Sequence, residues 1–537
     1  MKKVIIPLFI AFAVIIGFMI GNTLTKRSLV DVTNRTQLSS GGKIDALLNI
    51  INTQYVDSVN ANELIEQAIP KILSGLDPHS VYIPASDLQS VNEELEGSFS
   101  GIGVQFNIQH DTVMIVGVIS GGPSEKLGIM PGDRIITVND TLFTGKDVTN
   151  EKVMKKLRGT KGTTVKVEIK RNDSKELLPF TIVRGDIPVT SIDVTYKLTN
   201  EIGYVKVSKF GSNTYDEFLS ALNKLQREGA SKFIIDLRSN SGGYLESAIQ
   251  MINELLGKGE LIVYTEGKSE PRRDAYADGS GRFQHNPLVI LIDEWSASAS
   301  EIFAGAIQDN DRGIVIGRRS FGKGLVQQQI PLRDGSAIRL TISRYYTPSG
   351  RSIQKPYKDE ASYENDIVNR YLHGEFDTED SIRVDKVDTI GYKTAKGRTV
   401  YGGGGIMPDI FVPRDTLGMT SYFNKVNNSG LLYEYAFQYA DQNRIRLKAF
   451  ADYKALENYL NTQNLSESFA NFAAEKGIRR NPHLISKSNG LIENRLKAYI
   501  VRHIFGDEGF YPVLQEKDST LKRAAKELSG KNNILPE

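Results

Sequence analysis

The amino-acid sequence predicts an α/β core that follows a small β-rich module and precedes a helical extension. Between residues 186 and 415, apolar strands alternate with helical patterns, which is typical of a sheet built through crossover connections. Between 97 and 185 the apolar residues alternate with a period of two, and in 416–537 the pattern is mostly helical. A chain of 537 residues is too long for one ordinary core, so we expect several folded units.

Residues 1–27 predict a membrane segment. Lys2 and Lys3 precede an uncharged apolar run from Val4 to Ile20. The run is longer than the apolar region of a signal peptide, and no small-x-small cleavage site follows it. We therefore expect an anchor in the inner membrane with the catalytic portion in the periplasm, and a cleaved signal peptide is the alternative.

Charge and cysteine content exclude several kinds of site. The 66 basic and 64 acidic residues leave a net charge of +2, which predicts no general attraction to nucleic acid. The chain has no cysteine, which excludes disulfides, thiolate metal sites and a cysteine nucleophile. The partners must therefore be inferred from individual sites.

The first two folded regions differ in their apolar spacing. Residues 42–96 predict a helical region, because apolar side chains recur at helical spacing between Ile44 and Ile51 and between Leu64 and Leu73. Residues 97–185 contain short β-rich runs separated by Gly, Pro, Asn and Asp, with one helical stretch from Asn150 to Leu157. This second pattern predicts a small β-barrel-like module.

Three strands are predicted within the α/β core. They are Lys232–Leu237, Leu288–Asp293 and Gly313–Gly317. A glycine turn and a helix follow the first strand, and a serine-rich turn and a helix follow the second. The turns after these strands are where we look for chemistry.

The segment SASASEIFAG contains the candidate nucleophile. Ser298 and Glu301 fit the capping box S-x-x-E, so Ser298 is expected at a helix N-cap. It either only stabilises the helix, or it is a nucleophile at the positive end of the helix dipole. The chain has six histidines, and the only one between the first and the third predicted strand, His285, precedes its strand, so a Ser-His-Asp arrangement has weak support.

A lysine is the candidate base. Lys323 stands between two glycines, and burial can lower a lysine pKa enough for the amine to accept a proton; the alternative is a solvated loop lysine. Gln327 would share a face with Lys323 at ~6 Å in a helical turn, but would lie ~13 Å away in a strand. Gln327 is otherwise a polar surface residue. Gly242 and Gly243 can aim N–H groups at an oxyanion, or can simply form a strand-to-helix turn.

Four motifs together resemble one known family. IDLRSNSGG, SASASEIFAGAIQD, GRRSFGKGLVQ and ISRYYTPSGRSIQ, in this order and spacing, resemble the carboxyl-terminal processing peptidases of family S41, which are tail-specific proteases with a Ser-Lys dyad. The resemblance extends over roughly residues 43–415, including LDPHSVYI upstream and GGGGIMPDI downstream. The β-rich module looks like the PDZ domain of this family.

The resemblance implies a fold and a set of roles. It implies a crotonase/ClpP-like α/β fold with Ser298 as nucleophile, Lys323 as general base and Gln327 as the partner of the lysine. Backbone N–H groups near Gly242, Gly243 and Ala299 would form the oxyanion hole. No metal and no cofactor is implied.

Residues of the PDZ-like module are candidates for substrate binding. The loop SFSGIGVQF, with Gly101 and Gly103, can capture a terminal carboxylate, and the strand that it opens can accept a peptide as an added strand. Ile102, Val104, Val153 and Leu157 would line a pocket for an apolar last side chain, or would be ordinary core. Arg158 would meet a substrate carboxylate or the catalytic domain, or would be a helix C-terminal charge.

The sequence thus predicts an endopeptidase that recognises a free, apolar C-terminus and cleaves proteins in their C-terminal region. One alternative is a PDZ scaffold with a silent protease fold, and another is a crotonase-type acyl transferase, for which no adenine-binding signal is present. Residues 356–401 and 416–537 carry no usable motif. The tract 356–401 is a candidate insertion near the active site, and the extension can serve oligomerisation, adaptor binding or packing.

Overall fold

The structure is a computed structural model. It describes residues 16–17, 42–93, 96–109, 111–119, 121–171, 174, 176–381 and 390–530. The predicted anchor therefore lies outside the described residues except for Ile16 and Gly17. Within the part of the chain that is described, no helix combines the length and the apolar character needed to cross a bilayer.

Residues 1–76 form a unit of their own. Its described helices are α1 (Gly42–Gln54) and α2 (Ala61–Ser74). Asn60 caps α2 by accepting a hydrogen bond from the N–H of Asn62. The second unit begins at Asp77 and includes the next two elements, β1 (Val81–Ile83) and α3 (Ala85–Glu93). The region predicted as 42–96 is therefore divided between the two units, and it contains a strand.

The β-rich module is an antiparallel sheet with two helices. Its elements are β2 (Ser98–Gly101), β3 (Val104–Gln109), β4 (Thr112–Val118), α4 (Pro123–Lys126), β5 (Arg134–Val138), β6 (Thr141–Leu142), α5 (Asn150–Leu157), β7 (Thr164–Lys170), β8 (Leu178–Val183) and β9 (Gly185–Pro188). The main sheet has the order β3-β4-β5-β7-β8, and β6 pairs with β5. A separate β2–β9 ribbon forms where the chain enters and leaves the module. The single helix predicted from the sequence is α5, and the short α4 was not predicted.

The core is built on a mostly parallel sheet with the strand order β10-β11-β12-β15-β16-β21. Its elements up to the nucleophile helix are β10 (Ile192–Lys197), β11 (Ile202–Val207), α6 (Thr214–Arg227), β12 (Lys232–Asp236), α7 (Leu245–Asn253), β13 (Leu261–Glu266), β14 (Arg273–Tyr276), β15 (Leu288–Ile292) and α8 (Ala299–Asp309). The strands β12 and β15 coincide with the first two predicted strands. All sheet pairs except β10–β11 are parallel, and apolar side chains of α6, α7 and α8 form one hydrophobic core with the strands.

A second sheet lies beside the active-site end of the core. The remaining core elements are β16 (Ile314–Gly317), β17 (Leu325–Pro331), β18 (Ala337–Tyr346), α9 (Glu360–Glu364), α10 (Asp366–Leu372), β19 (Gly391–Lys393), β20 (Thr399–Tyr401) and β21 (Ile410–Phe411). The second sheet has the order β1-β18-β13-β14, and β17 pairs with β18. The strand β16 coincides with the third predicted strand.

The extension is helical, as predicted, but it does not stand apart from the core. Its helices are α11 (Ser421–Asn428), α12 (Leu431–Gln442), α13 (Arg444–Lys448), α14 (Tyr453–Asn461), α15 (Leu465–Glu475), α16 (Pro482–Gln515, kinked at Gly506) and α17 (Ser519–Ser529). The helices α11–α16 share a hydrophobic core. Helix α17 instead packs Leu521, Ala524 and Leu528 into one cluster with Ile234 and Val289 of the parallel sheet. The last helix of the extension is therefore a layer of the catalytic core, and position 415 does not separate the two.

Candidate active site

Ser298 is the residue immediately before α8. It occupies the predicted N-cap, with φ 55° and ψ −113°, a backbone conformation that costs a non-glycine residue free energy. Such a turn between a buried strand and a buried helix places the side chain at the carboxyl edge of the parallel sheet. Gly242 lies directly beside it, because a Cβ added at Gly242 would lie 2.8 Å from Ser298 Cβ.

Glu301 joins the nucleophile turn to the loop that carries the lysine. Its side chain is fully buried, and Oε2 accepts hydrogen bonds from the N–H groups of Ser298 and Lys323, both at 2.8 Å. Oε1 accepts from the N–H of Gly322 at 2.7 Å and from the hydroxyl of Ser320. Burial raises the pKa of Glu301 to about 7, against the opposing effect of these donors. The capping carboxylate therefore also fixes the position of Lys323.

Lys323 and Gln327 meet through their side chains. Lys323 Nζ donates to Gln327 Oε1 at 3.1 Å. Of the two alternatives, the strand is the one observed, because Gln327 lies in β17, next to a β-bulge between Val326 and Gln327. The long side chain of Lys323 spans the distance between its own backbone and the side chain of Gln327. Burial, followed by the positive charge of Arg339, lowers the pKa of Lys323.

The upstream motif LDPHS orients Gln327. The amide Nε2 of Gln327 donates to the backbone carbonyl of His79 at 2.5 Å, which leaves Oε1 to face the lysine. Asp77 holds this turn by accepting hydrogen bonds from the N–H groups of His79 and Ser80 at 2.8 and 2.9 Å. Burial lowers the pKa of His79 to about 4, so its ring is neutral at pH 7.

Tyr345 ties the backbones of the two candidate catalytic residues together. Its hydroxyl lies within hydrogen-bonding distance of the carbonyl oxygens of Ser298, at 3.1 Å, and Lys323. The side chain is buried, and burial raises its pKa well above the ordinary tyrosine value. Tyr345 therefore stays a neutral donor that fixes both loops.

The glycine turn faces Ser298, but only one of its two N–H groups is free. The N–H of Gly242 donates to Asn240 Oδ1 at 2.9 Å, so in this geometry it cannot serve an oxyanion, contrary to the expectation for that residue. Among the hydrogen bonds of the described residues, the N–H groups of Gly243 and Ala299 donate to no protein acceptor. The carbonyl of Asn240 in turn accepts from the N–H of Ala297 at 3.0 Å, which holds the glycine turn against the serine turn.

The candidate residues line one cavity of about 520 Å³. Ser298, Lys323, Gln327, Gly242, Gly243 and Ala299 all contribute to its wall, and the apolar part of the wall includes Leu245, Ile302, Leu325 and Val326. Within the described residues, no hydrogen bond joins Ser298 Oγ to Lys323 Nζ, and the amine is instead held by Gln327. The described residues contain no cluster of three or more His, Asp or Glu side chains suited to a metal ion.

Comparison with known proteins identifies the family. Residues 201–362 match the model of peptidase family S41, residues 100–181 match a PDZ domain, and residues 422–506 match a family of unknown function. The carboxy-terminal-processing protease of Bartonella bacilliformis is 37% identical over 309 residues, which cover 57% of this chain and 70% of that protein. The chain belongs to the carboxy-terminal processing proteases of family S41.

Two further proteins resemble this member of the family. The carboxy-terminal processing protease CtpB of Bacillus subtilis is 34% identical over 316 residues, 58% of this chain and 65% of the length of that protein. Among solved structures, the photosystem II D1 C-terminal processing protease is 24% identical and has a TM-score of 0.36, covering 69% of this chain and 92% of its own.

The PDZ residues proposed to bind substrate lie in two environments. Ile102, Val153 and Leu157 are buried in the core of the PDZ domain, and Val104 packs against that core, as the alternative interpretation expected. The glycine loop is different, since the N–H groups of Ile102 and Gly103 donate to no protein acceptor among the described residues. These N–H groups precede β3, which among the described strands pairs with β4 alone and so has an unpaired edge.

Arg158 lies between the PDZ domain and the rest of the protein. It follows α5, as the helix C-terminal alternative expected, and its guanidinium lies 3.3 Å from a carboxylate oxygen of Glu93 and over the ring of Phe99. With these two residues it lines a cavity that also includes Ser241 and Gly242. Arg158 thus reaches the edge of the catalytic domain in the described geometry.

Sequence reasoning missed several residues that build the site. Asp77, His79 and Tyr345 were inside quoted motifs but had no role, and Glu301 was expected only as a cap. The signal for Asp77 was available, because an aspartate just before Pro-His-Ser is typical of a side chain that accepts from the next backbone N–H groups. Tyr345 had no local signal, since it acts on segments far away in the chain. Asn240 did have one, because an asparagine two residues before glycine is typical of a side chain that accepts from a backbone N–H two residues on.

Proposed function

We propose that this chain is a serine endopeptidase that holds the free C-terminus of a protein in its PDZ domain and cleaves the polypeptide near that end. The observation that carries the proposal is the shared cavity, whose wall contains a serine with a strained backbone and a partly buried lysine held by an amide. A buried amine beside an uncharged amide is what a general base other than histidine requires.

In the proposed reaction, Ser298 Oγ attacks the peptide carbonyl while Lys323 Nζ accepts the hydroxyl proton. The oxyanion of the tetrahedral intermediate accepts hydrogen bonds from the N–H groups of Gly243 and Ala299. The C–N bond then breaks, and Lys323 returns the proton to the leaving amine. A water molecule loses its proton to Lys323 and attacks the ester, which releases the new carboxylate and restores Ser298.

The base requires a neutral amine. At an unperturbed pKa near 10.4, only roughly one lysine in two thousand is neutral at pH 7. Burial and the nearby Arg339 both lower the pKa of Lys323, which supports the assignment. Gln327 orients the amine without adding a charge, because its Oε1 accepts from Nζ and its Nε2 is fixed on His79.

The PDZ domain supports the second half of the proposal. The free edge of β3 can pair with a peptide as an added strand, and the N–H groups of Ile102 and Gly103 can receive its terminal carboxylate. An apolar last side chain would reach toward Val104, Val153 and Leu157. This step requires a local opening, because Val153 and Leu157 are buried.

Turnover of an unfolded reporter protein tests the catalytic assignment. We expect wild type to cleave it and Ser298→Ala and Lys323→Ala to lose at least 10³-fold in kcat/KM, the scale reported for removal of a triad member. The exposed Lys358→Ala is the matched control and is expected to keep wild-type turnover. Equal cleavage by wild type and Ser298→Ala would exclude the assignment and favour a silent protease fold.

A C-terminally amidated version of the same reporter tests the PDZ step. Amidation removes the charge that the glycine loop would bind, so we expect a higher KM with the same cleavage site by mass spectrometry. Unchanged kinetics would contradict the capture of a free carboxylate, while leaving the catalytic residues in place.

We also propose that the protein is anchored in the inner membrane with its catalytic core in the periplasm. The support is the apolar run from Val4 to Ile20, which lies almost entirely outside the described residues. Fractionation of cells with and without external protease tests it. A catalytic core recovered in the cytosolic fraction would contradict the proposal.

A further inference from the structure

Arg339 places a second positive charge in the cavity of Ser298 and Lys323. It lies on β18, directly opposite Gln329 of β17, and both side chains line the cavity. Arg339 Nη2 donates to Gln329 Oε1 at 3.2 Å, and Gln329 Nε2 donates to Asn92 Oδ1 at 3.1 Å. The position of the guanidinium is therefore fixed by hydrogen bonds through two amide side chains, Gln329 and Asn92.

Among the ion pairs of the described residues, no carboxylate is the partner of this guanidinium, whereas Arg319, Arg370 and Arg351 each contact a carboxylate at 2.8 Å or less. The amide of Gln329 has no net charge, and the exposed Glu96, which also lines the cavity, forms no ion pair with Arg339 among the described residues. A permanent cation without a counter-ion disfavours a second cation in the same cavity.

We propose that Arg339 is a positioning residue that acts through Lys323, keeping its amine uncharged in the resting enzyme so that it can accept the proton of Ser298. The inference rests on the proposed function, because it takes Lys323 as the general base. It goes beyond that proposal because it explains the neutral state of Lys323 by a residue on β18 that lies outside the motifs quoted from the sequence. Arg339 itself takes no proton, since guanidinium stays charged at every working pH.

The other groups around Lys323 are carboxylates, neutral polar side chains and one paired lysine. Glu301, in the first turn of α8, and Asp77, in the turn before β1, both raise the pKa of Lys323, while burial and Arg339 lower it. The exposed Glu96 also lines the cavity. His79 is neutral at pH 7, Tyr345 is a neutral phenol, and Gln327 has no charge. Lys355 lies farther along the same loop system, bonded to Asp366 at 3.2 Å. Arg339 thus offsets the two carboxylates that would otherwise charge the base.

The pH dependence of kcat/KM tests this inference. Lys323 must be neutral, so kcat/KM rises as the pH rises through the pKa of Lys323. We expect Arg339→Gln to move this limb upward by about 0.5–1 pH unit, which lowers kcat/KM about 3- to 10-fold below the limb and restores it above the limb. Arg339→Lys, which keeps the charge, is expected to move it by less than about 0.3 unit.

Controls separate charge from structure. Arg339→Met keeps the aliphatic stem without the charge and should shift the limb as Arg339→Gln does. Arg344→Gln removes an exposed arginine of the same strand, bonded to the Tyr357 hydroxyl, and should leave the limb in place. A higher KM for Arg339→Gln with an unmoved limb would overturn the inference and assign Arg339 to substrate binding.

A direct titration needs no catalysis. In a Ser298→Ala background, labelling with acetic anhydride across pH 6–11, followed by mass spectrometry of the Lys323 peptide, reports the neutral amine. We expect the midpoint of Lys323 labelling to lie about 0.5–1 pH unit higher in the Arg339→Gln variant than in the protein that keeps Arg339. Identical midpoints would overturn the inference even if Ser298 is the nucleophile. If Arg339→Gln shifts the labelling midpoint as expected but the wild-type enzyme cleaves no substrate, the proposed function is contradicted and the inference about Arg339 stands.

Discussion

The PDZ domain and the helical extension both pack against the catalytic core, but they are attached in different ways. The PDZ domain has a hydrophobic core drawn from its own residues, and its described neighbours meet it around three cavities of about 590, 560 and 360 Å³. The extension inserts Leu521, Ala524 and Leu528 into the core of the parallel sheet.

Polar contacts show the same contrast. Between the PDZ domain and its surroundings, Arg158 meets Glu93 at 3.3 Å with a side chain that is 36% exposed. Between the extension and the sheet, Asp518 meets Arg238 at 2.8 Å, and Arg238 also binds the buried Asp236 in the motif that precedes the glycine turn. The PDZ domain is thus attached through a more exposed ion pair, whereas the extension is joined to the segment that holds the glycine turn.

The largest effect is expected from Leu521→Ala. Removing this buried side chain should cost about 2–5 kcal/mol of the unfolding free energy of the catalytic core, because it leaves a cavity against the sheet. Ile169→Ala, in the PDZ core, is the matched variant and should cost a similar amount for the PDZ domain only. Calorimetry together with turnover of a short peptide measures both.

The two variants should differ in turnover of a peptide too short to reach the PDZ domain. We expect Leu521→Ala to lower it at the temperature where the core begins to unfold, and Ile169→Ala to retain it. Loss of this turnover by both variants under the same conditions would contradict the separation of the two regions.

The next effect concerns Asp518, which caps α17 and pairs with Arg238. Asp518→Asn keeps a good N-cap for the N–H of Leu521 but removes the charge, so we expect a loss of about 1–2 kcal/mol in urea unfolding. Asp452→Asn is the control, because Asp452 caps α14 through the N–H of Ala455. An equal loss of unfolding free energy in both variants would show that the helix cap, and not the ion pair with Arg238, accounts for the effect.

A smaller effect is expected when the corresponding charge is removed at the PDZ domain. Arg158→Gln should change the free energy of unfolding by less than about 1 kcal/mol, because its pair with Glu93 is partly exposed to solvent. Urea unfolding under the conditions used for Asp518→Asn provides the comparison. A loss as large as that of Asp518→Asn would mean that the PDZ domain is as firmly attached as the extension.

The last effect is a pH dependence at the contact between the two regions. His503 of α16 lines the cavity that it shares with Gln105 and Asn107 of β3, and burial, followed by Arg444 and Arg502, lowers its pKa to about 4. Because the folded pKa is below the unfolded value near 6.5, its contribution is complete above pH 6.5 and is lost as the pH falls toward 4.

Urea midpoints at pH 7.5, 6 and 5 measure this dependence. We expect the midpoint of wild type to fall with pH more steeply than that of His503→Gln, which has no imidazole to protonate. His285→Gln, at an exposed position in the core, should keep the wild-type slope. If the urea midpoints of wild type and His503→Gln fall equally with pH, His503 is not the cause of the pH dependence.

Much of the fold followed from local pattern. The strands β12, β15 and β16 and the helix after Ser298 were predicted because apolar residues recur at strand or helix spacing. The boundary at 415 was misleading for α17, because an amphipathic helix does not specify which distant sheet covers its apolar face. The sequence left open whether Lys323 and Gln327 share a helical turn, and in the structure they meet at a strand with a β-bulge.

The sequence by itself determined the segments and the capping geometry of Ser298, since these depend on residues that are close in the chain. The tertiary structure decided which groups meet Ser298 and Lys323. It brought the carbonyl of His79 to Gln327, aligned Glu301 with the Lys323 loop, and placed Arg339 in the cavity wall, where the described residues give it no ion-pair partner. Contacts between residues so far apart in the chain arise only when the sheets are assembled, because burial and charge depend on the final neighbours rather than on local spacing.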